Sequence, residues 1–313
     1  MAAAPTLAQA PGKTVRVALL ASGGRTPDGQ PPRALREALR PLGCVEGQHV
    51  VYEARFAEGR LDRLPALAAE LVRRKVDVIV AQGGMAARAA KRATATIPIV
   101  VAPASGDLVA TGLIAGLARP GGNVTGLSDE SVQLSAKRME ILKEAIPQAA
   151  RMAVLRNAGD EGMTLRYREI ERAARVLGVE VQALGVREPA DFPGAFAAMT
   201  RQRPDALFVV TDALTNVNRR MVLEFAATQR IPAMYELSVF VRDGGFMSYG
   251  PSAEDMFGRA AAHIDRILKG VRPGELPAEQ PTRYYLTLNL KAAAALGLAV
   301  PPALLLRADD VVQ

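Results

Sequence analysis

Two α/β lobes of like plan are predicted by three features of this sequence. From Thr14 onward, short β-rich apolar runs alternate with amphipathic segments, the pattern of βα units stacked on parallel sheets. One stretch of that pattern recurs: Val76-Asp77-Val78-Ile79-Val80, a turn, a helix and Ile97-Pro98-Ile99 match Pro204-Asp205-Ala206-Leu207-Phe208, a turn, a helix and Ile231-Pro232-Ala233 in order and spacing. The chain also has 313 residues, beyond the size at which a single core stops growing.

The elements follow in order. Val15 to Leu20 form a strand that ends in the small-residue turn Ala21-Ser22-Gly23-Gly24, and a helix over 33–42 is stopped by Gly43. A second strand covers 49–56. Over 60–75, Leu61, Leu64, Leu67, Ala68, Leu71 and Val72 recur at three- to four-residue intervals and give one apolar helix face. The third strand, 76–81, is apolar except for Asp77, as a strand covered on both faces should be. The turn Gln82-Gly83-Gly84, a helix over 85–95 and a strand over 97–101 complete the first half. After the Gly-rich passage Arg119-Pro120-Gly121-Gly122-Asn123, a turn near a lobe boundary, the same grammar resumes. It predicts helices over 132–146, 164–177, 191–201 and 216–228, with strands over 152–155, 179–184, 206–210 and 231–235.

Composition narrows the function classes. The 39 basic and 32 acidic side chains leave a charge of +7, but they are spread along the chain without a run of five like charges. Arg33, Arg36 and Arg40, like Arg166, Arg168 and Arg172, read as solvated helix faces, and no nucleic-acid-binding signature is present. A lone Cys44 excludes an intramolecular disulfide and a Cys-based zinc site, and reads as a small core residue. Two histidines, His49 and His263, leave little for a histidine-based catalytic or metal site. No run of 18 apolar residues offers a membrane span. Ala8-Gln9-Ala10 has the form cut by signal peptidase, yet a basic n-region and an apolar h-region are missing; residues 1–12 read as a signal remnant or as an Ala-rich tail.

In open parallel sheets, ligands gather beyond the carboxyl ends of the strands. That rule selects Ser22, Gly23, Gln82, Gly83, Ser105 and Asp107 in the first half, and Arg156, Asn157, Thr211, Asp212, Tyr235 and Glu236 in the second, as ligand-binding candidates. Each has a plainer reading. The glycines serve turns, Asp107 and Asp212 can cap helices, Tyr235 is either core or a stacking platform, and Arg156 either reaches solvent or clamps a carboxylate. Were Tyr235 a platform, Tyr235→Ala would weaken binding without unfolding the chain. Phosphate-loop, dinucleotide, nucleophile-elbow and zinc-protease signatures are absent, which favours binding over catalysis and implies no catalytic residue, metal or cofactor.

Several segments together carry a family resemblance: Ile97-Pro98-Ile99-Val100, Gly112-Leu113, the run Leu117-Ala118-Arg119-Pro120-Gly121-Gly122-Asn123-Val124-Thr125-Gly126, Pro281-Thr282-Arg283, Asn289-Leu290-Lys291-Ala292-Ala293 and the stretch from Pro301 to Asp309. The chain resembles the TrpX-like group of ABC-transporter substrate-binding proteins from Val15 to Val311. The resemblance implies a type I periplasmic-binding-protein fold: two Rossmann-like lobes with parallel sheets, joined by a hinge and closing on a small polar or aromatic solute such as an amino acid or carboxylate. The lobes would be 13–125 plus about 251–278, and 126–250 plus about 279–313, with Thr125-Gly126-Leu127-Ser128 and Ser248-Tyr249-Gly250-Pro251 in the hinge.

It implies a periplasmic monomer that hands its ligand to membrane permease subunits and does not bind nucleic acid. By position it carries Ser22, Gly83, Ser105, Asn157, Asp212 and Tyr235 into the site. Gly83-Gly84-Met85 stands where relatives often have G-T-P, Asn157-Ala158 where N-P is common, and Arg156 where an apolar or aromatic residue is usual, so an aromatic amino acid is not assumed. The rivals are the sensing domain of a regulator, which would need a DNA-binding headpiece, and a small-molecule isomerase on the same fold.

Overall fold

The computed structural model describes residues 14–103, 106–128 and 131–313. Strands β1 Val15–Ala21, β2 Val50–Phe56, β3 Val78–Gln82, β4 Ile99–Val101 and β5 Val124–Gly126 form a parallel sheet in the order β2-β1-β3-β4-β5. Helices α1 Arg33–Leu39, α2 Leu64–Arg73 and α3 Gly84–Ala93 connect them. The sheet is sandwiched, and the pleat shows it: Val17, Leu19 and Ala21 enter one apolar cluster while Ala18 and Leu20 enter the other, and Val78 and Val80 part from Ile79 and Ala81 in the same way.

The second lobe follows as α4 Ser131–Ala145, β6 Arg151–Asn157, α5 Glu161–Val176, β7 Glu180–Val186, α6 Phe192–Arg201, β8 Ala206–Val209, α7 Ala213–Val217, α8 Arg219–Thr228, β9 Ala233–Tyr235, α9 Ser238–Arg242 and β10 Met247–Gly250. Then come α10 Ala253–Leu268, β11 Tyr285–Asn289, α11 Leu290–Leu296, α12 Pro302–Arg307 and β12 Asp310–Val312. Its sheet runs β12-β11-β10-β9-β8-β6-β7. The five strands β7-β6-β8-β9-β10 repeat the order of the first sheet, which is the structural counterpart of the sequence repeat. Two more strands extend the edge, β11 antiparallel to β10. Met152 and Val154 face one cluster, Ala153 and Leu155 the other.

Prolines account for where elements depart from their predicted bounds. Pro41 turns the end of the first helix into a 3-10 segment, Arg40–Leu42, and Pro65 sits in the first turn of α2, which is preceded by the 3-10 turn Leu61–Arg63. The single helix expected over 216–228 is two helices, because Asp212 caps α7 and the chain leaves helical geometry at Asn218.

The chain passes between the lobes three times. After β5 it enters α4; after β10 it returns as α10, whose Met256, Phe257, Ala260, Ala261, Ile264 and Ile267 pack with Cys44 and Leu35 on the first sheet; then it crosses back to β11. The first and third passages are stitched together: Glu279 donates its N–H to Gly126 O at 2.9 Å and Ser128 N donates to Glu279 O at 2.8 Å. At the second passage Gly250 has no alternative, because a Cβ there would lie 2.0 Å from Glu236 O.

Candidate functional site

Between the lobes lies a cavity of about 250 Å³, and the strand ends build its walls. Ser22 and Gly23 follow β1, Gln82 ends β3, Gly83 begins the turn into α3, and Pro103 follows β4 on the first-lobe side. Thr211, Asp212, Ala213 and Asn216 follow β8, Glu236, Leu237 and Val239 follow β9, and Pro251 follows β10. Ala253 and Met256 of α10 close one end. Strand-to-helix turns deliver these residues: Gly83 takes φ +95° to cap α3, which glycine adopts without strain.

The polar floor is a buried ion triad. Glu236 accepts from Arg138 Nη1 at 3.1 Å through one oxygen and from Arg166 Nη1 at 2.5 Å through the other. All three side chains are essentially inaccessible. Arg138 Nε also donates to Tyr249 O at 2.7 Å, and Arg166 Nη1 to Thr211 O at 3.4 Å. Buried guanidiniums and carboxylates are tolerated only when paired and hydrogen-bonded, so Glu236 and the two arginines hold one another in the wall.

Asp212 caps α7 by accepting from Thr215 N and Thr215 Oγ1, both at 3.0 Å, and takes a 2.6 Å bond from Asn157 Nδ2. Its wall position and its capping role coexist. Nearby Asp160 caps α5 through Gly162 N at 2.8 Å; burial first, then the Asp212 charge, pushes its carboxyl above the ordinary range.

Two wall atoms stand apart. Ser22 is buried, its N–H donates to Gln82 O and its carbonyl accepts from Gly59 N, yet its Oγ has no hydrogen-bond partner among the described residues. Asn216 Oδ1, on the opposite lobe, is in the same state. Buried polar atoms are normally satisfied, and both of these belong to residues of the cavity wall, one on each lobe.

Seven of the twelve candidates meet here: Ser22, Gly23, Gln82, Gly83, Thr211, Asp212 and Glu236. Ser105 lies outside the described residues. Asp107 caps its own turn through Val109 N and Ala110 N. Arg156 lies over the Tyr167 ring, 4.8 Å from its centroid, and donates to Thr164 Oγ1 rather than entering the cavity. Asn157 is a support for Asp212 and not part of the wall. Tyr235 is core: 1% exposed and stacked on Phe240 at 4.7 Å, it does not line the cleft. Arg166 is the opposite case, since it is buried against Glu236 and not on a solvated helix face. Arg138 was not singled out by the strand-end rule, because it projects from the middle of α4. The neighbours of both arginines three and four residues away that point to the core, Ile141, Leu142, Met163 and Ile170, are the signal that could have found them.

Residues 32–312 match the family of ABC transporter substrate binding proteins. This chain belongs to that family. Its members are extracytoplasmic binding proteins that take up small molecules and work with permeases. A protein of Clostridioides difficile named tyrosine-binding protein is 26% identical over 263 residues, 84% of this chain and 75% of its own. A solved conserved domain protein from Vibrio cholerae, also 26% identical, covers 96% of this chain and 100% of its own with a TM-score of 0.87. An ABC domain from Streptococcus pneumonia solved in complex with L-Trp is 22% identical, with the same coverage and a TM-score of 0.87. The two lobes of this substrate-binding protein and their mostly parallel sheets are those of the type I periplasmic binding fold. Among the described residues no helix is long and apolar enough to cross a membrane, and no group of three His, Cys, Asp or Glu side chains could hold a metal.

Proposed function

We propose that this substrate-binding protein traps a solute bearing a carboxylate and an apolar body, an amino acid or aromatic acid in class, between its lobes. The observation that carries the reading is the Arg138–Glu236–Arg166 triad, which sets two guanidinium groups in the cavity wall, the groups that pair with a carboxylate in planar, two-bond geometry. Ser22 Oγ and Asn216 Oδ1 supply one hydrogen bond from each lobe, so a bound molecule is gripped from both sides. Leu237, Val239, Met256, Pro103 and Pro251 offer an apolar berth for the remainder of the molecule. Asp212 keeps a lone pair beyond its three bonds and suits an ammonium group. The relative named for tyrosine binding and the neighbour holding L-Trp support an amino acid.

In this reading the chain works as a periplasmic monomer without turnover or nucleic-acid partner, and its lobes, 13–125 with about 251–278 and 126–250 with about 279–313, pivot at 125–128 and 248–251. Ligand affinity greater for the closed than the open form drives the pivot. The test is native mass spectrometry of the freshly purified protein, followed by calorimetry with L-tryptophan, L-tyrosine and benzoate. A co-purifying or titrated carboxylate bound one per chain is expected; a neutral sugar or a cation in the cleft, with all three acids inert, would overturn the reading.

A further inference from the structure

Two contacts bridge the lobes just outside the cavity, and neither lines it. Val217, the last residue of α7, is 37% exposed and sits over the turns that follow β1 and β2. A Cβ at Gly59 would lie 3.6–3.7 Å from three Val217 side-chain atoms, and one at Gly24 would lie 3.9 Å away. Glu58 N donates to Gly23 O and Gly59 N to Ser22 O, both at 3.0 Å, so this glycine notch is continuous with the cleft wall at Ser22 and Gly23. From the other lobe, Val217 directly follows the wall residue Asn216. The second contact joins α3 to the start of α5: Arg88 Nη1 and Nη2 lie 3.4 and 3.3 Å from Glu161 Oε2. Glu161 occupies the first turn of α5, where free N–H groups favour a carboxylate.

We propose that Val217 in its glycine notch and the Arg88–Glu161 pair form a clasp that sets how long the solute is retained, without touching it. The proposal rests on the reading of the cleft as a closing trap. Val217, Arg88 and Glu161 belong to none of the apolar clusters of either lobe, so these contacts add little to the stability of each lobe by itself. They exist only while the lobes are together. Deleting one therefore raises the closed state relative to the open one, which speeds release and leaves entry, a process that starts from the open form, unchanged. Val217 acts at the rim as a water seal, and the exposed pair contributes as surface ion pairs do, about two- to five-fold in an equilibrium or rate constant. The glycines matter to the notch because a side chain at Gly59, which has φ +79°, would both strain the turn and displace Val217.

The experiment uses the full chain carrying spin labels at Arg92→Cys on α3 and Arg168→Cys on α5. Into it are placed Val217→Ser, Arg88→Glu, Glu161→Arg, and the charge-swapped pair Arg88→Glu/Glu161→Arg. Label-to-label distances are recorded with and without L-tryptophan, and L-tryptophan dissociation and association are followed by stopped flow. Each single substitution is expected to deplete the short-distance population and to accelerate dissociation two- to five-fold at unchanged association, and the swapped pair to restore both. Distances and rates that stay at wild-type values in every correctly folded variant overturn the clasp, as does a wild type with no short-distance population in either condition. If L-tryptophan does not bind the wild type, the aromatic amino-acid reading fails by itself, and the distances alone decide: depletion restored by the swap supports the clasp, and no change overturns it.

Discussion

Arg138 donates to Glu236 across 3.1 Å in the cavity wall, and the same guanidinium holds Tyr249 O at 2.7 Å, one residue before the glycine that begins the second passage between lobes. Occupancy of the cleft floor and the geometry of that passage therefore share one side chain. Arg166 completes the arrangement from α5, so three elements, α4, α5 and the β9 end, depend on one carboxylate.

Glu236→Ala should remove the anion from between two buried cations. The expected loss is about 3–5 kcal/mol in urea unfolding, the cost of removing one partner from a buried ion pair. A loss near zero would mean that the triad does not organise the floor.

Ser22→Ala should separate a binding role from a folding role. Its hydroxyl has no partner among the described residues, so unfolding free energy should stay level or rise slightly, while affinity for L-tryptophan drops by about 1 kcal/mol, roughly five-fold. Titration calorimetry beside a thermal melt reads both. Unchanged affinity would remove Ser22 from the site.

Asp160→Asn should stabilise the protein at neutral pH. Burial and the Asp212 charge raise the folded-state pKa above its unfolded value, so ionising Asp160 costs the folded state free energy. Asp160 thus favours folding fully below its unfolded pKa, and that contribution is lost as pH rises through the folded one. Asparagine keeps the cap on α5. The melting temperature of the variant should exceed the wild type at pH 7 and converge on it as the pH falls into the ordinary carboxylate range; a gap independent of pH would refute the assignment.

Tyr235→Ala should unfold rather than merely weaken binding. The ring stacks on Phe240, and a Cβ at Gly245 would lie 2.5 Å from its Cε2, so the side chain fills a closely packed pocket. Truncating a buried aromatic costs about 3–5 kcal/mol. A well-folded variant with reduced solute affinity would return Tyr235 to the cleft.

Sequence reasoning reached the fold because buried parallel strands leave an unmistakable trace: Val78 to Ala81 and Ala206 to Val210 are apolar on both pleat faces, and only helices on both sides make that favourable. It reached Ser22, Gln82, Thr211 and Glu236 because strand ends open into the cleft by topology. It could not separate Tyr235 from them, since the last side chain of a strand points to one packing layer or the other according to pleat parity, and Tyr235 falls on the layer shared with Phe240. Arg166 and Arg138 stayed hidden for a different reason. Basic residues on helices read as solvated, and the partner carboxylate that helps make their burial tolerable is 70 residues away for Arg166 and 98 for Arg138. The N-terminal residues 1–12 and Ser105 lie outside the described residues.

The most direct test of the cleft as a carboxylate trap is competition calorimetry with L-tryptophan, indole-3-propionate and tryptamine, which differ in which charged group they keep. The triad predicts that the two carboxylates bind and that tryptamine, which would bring a third cation beside two arginines, is weaker by roughly ten- to a hundred-fold, the worth of one or two charge-assisted hydrogen bonds. Tryptamine binding as tightly as L-tryptophan would contradict the account.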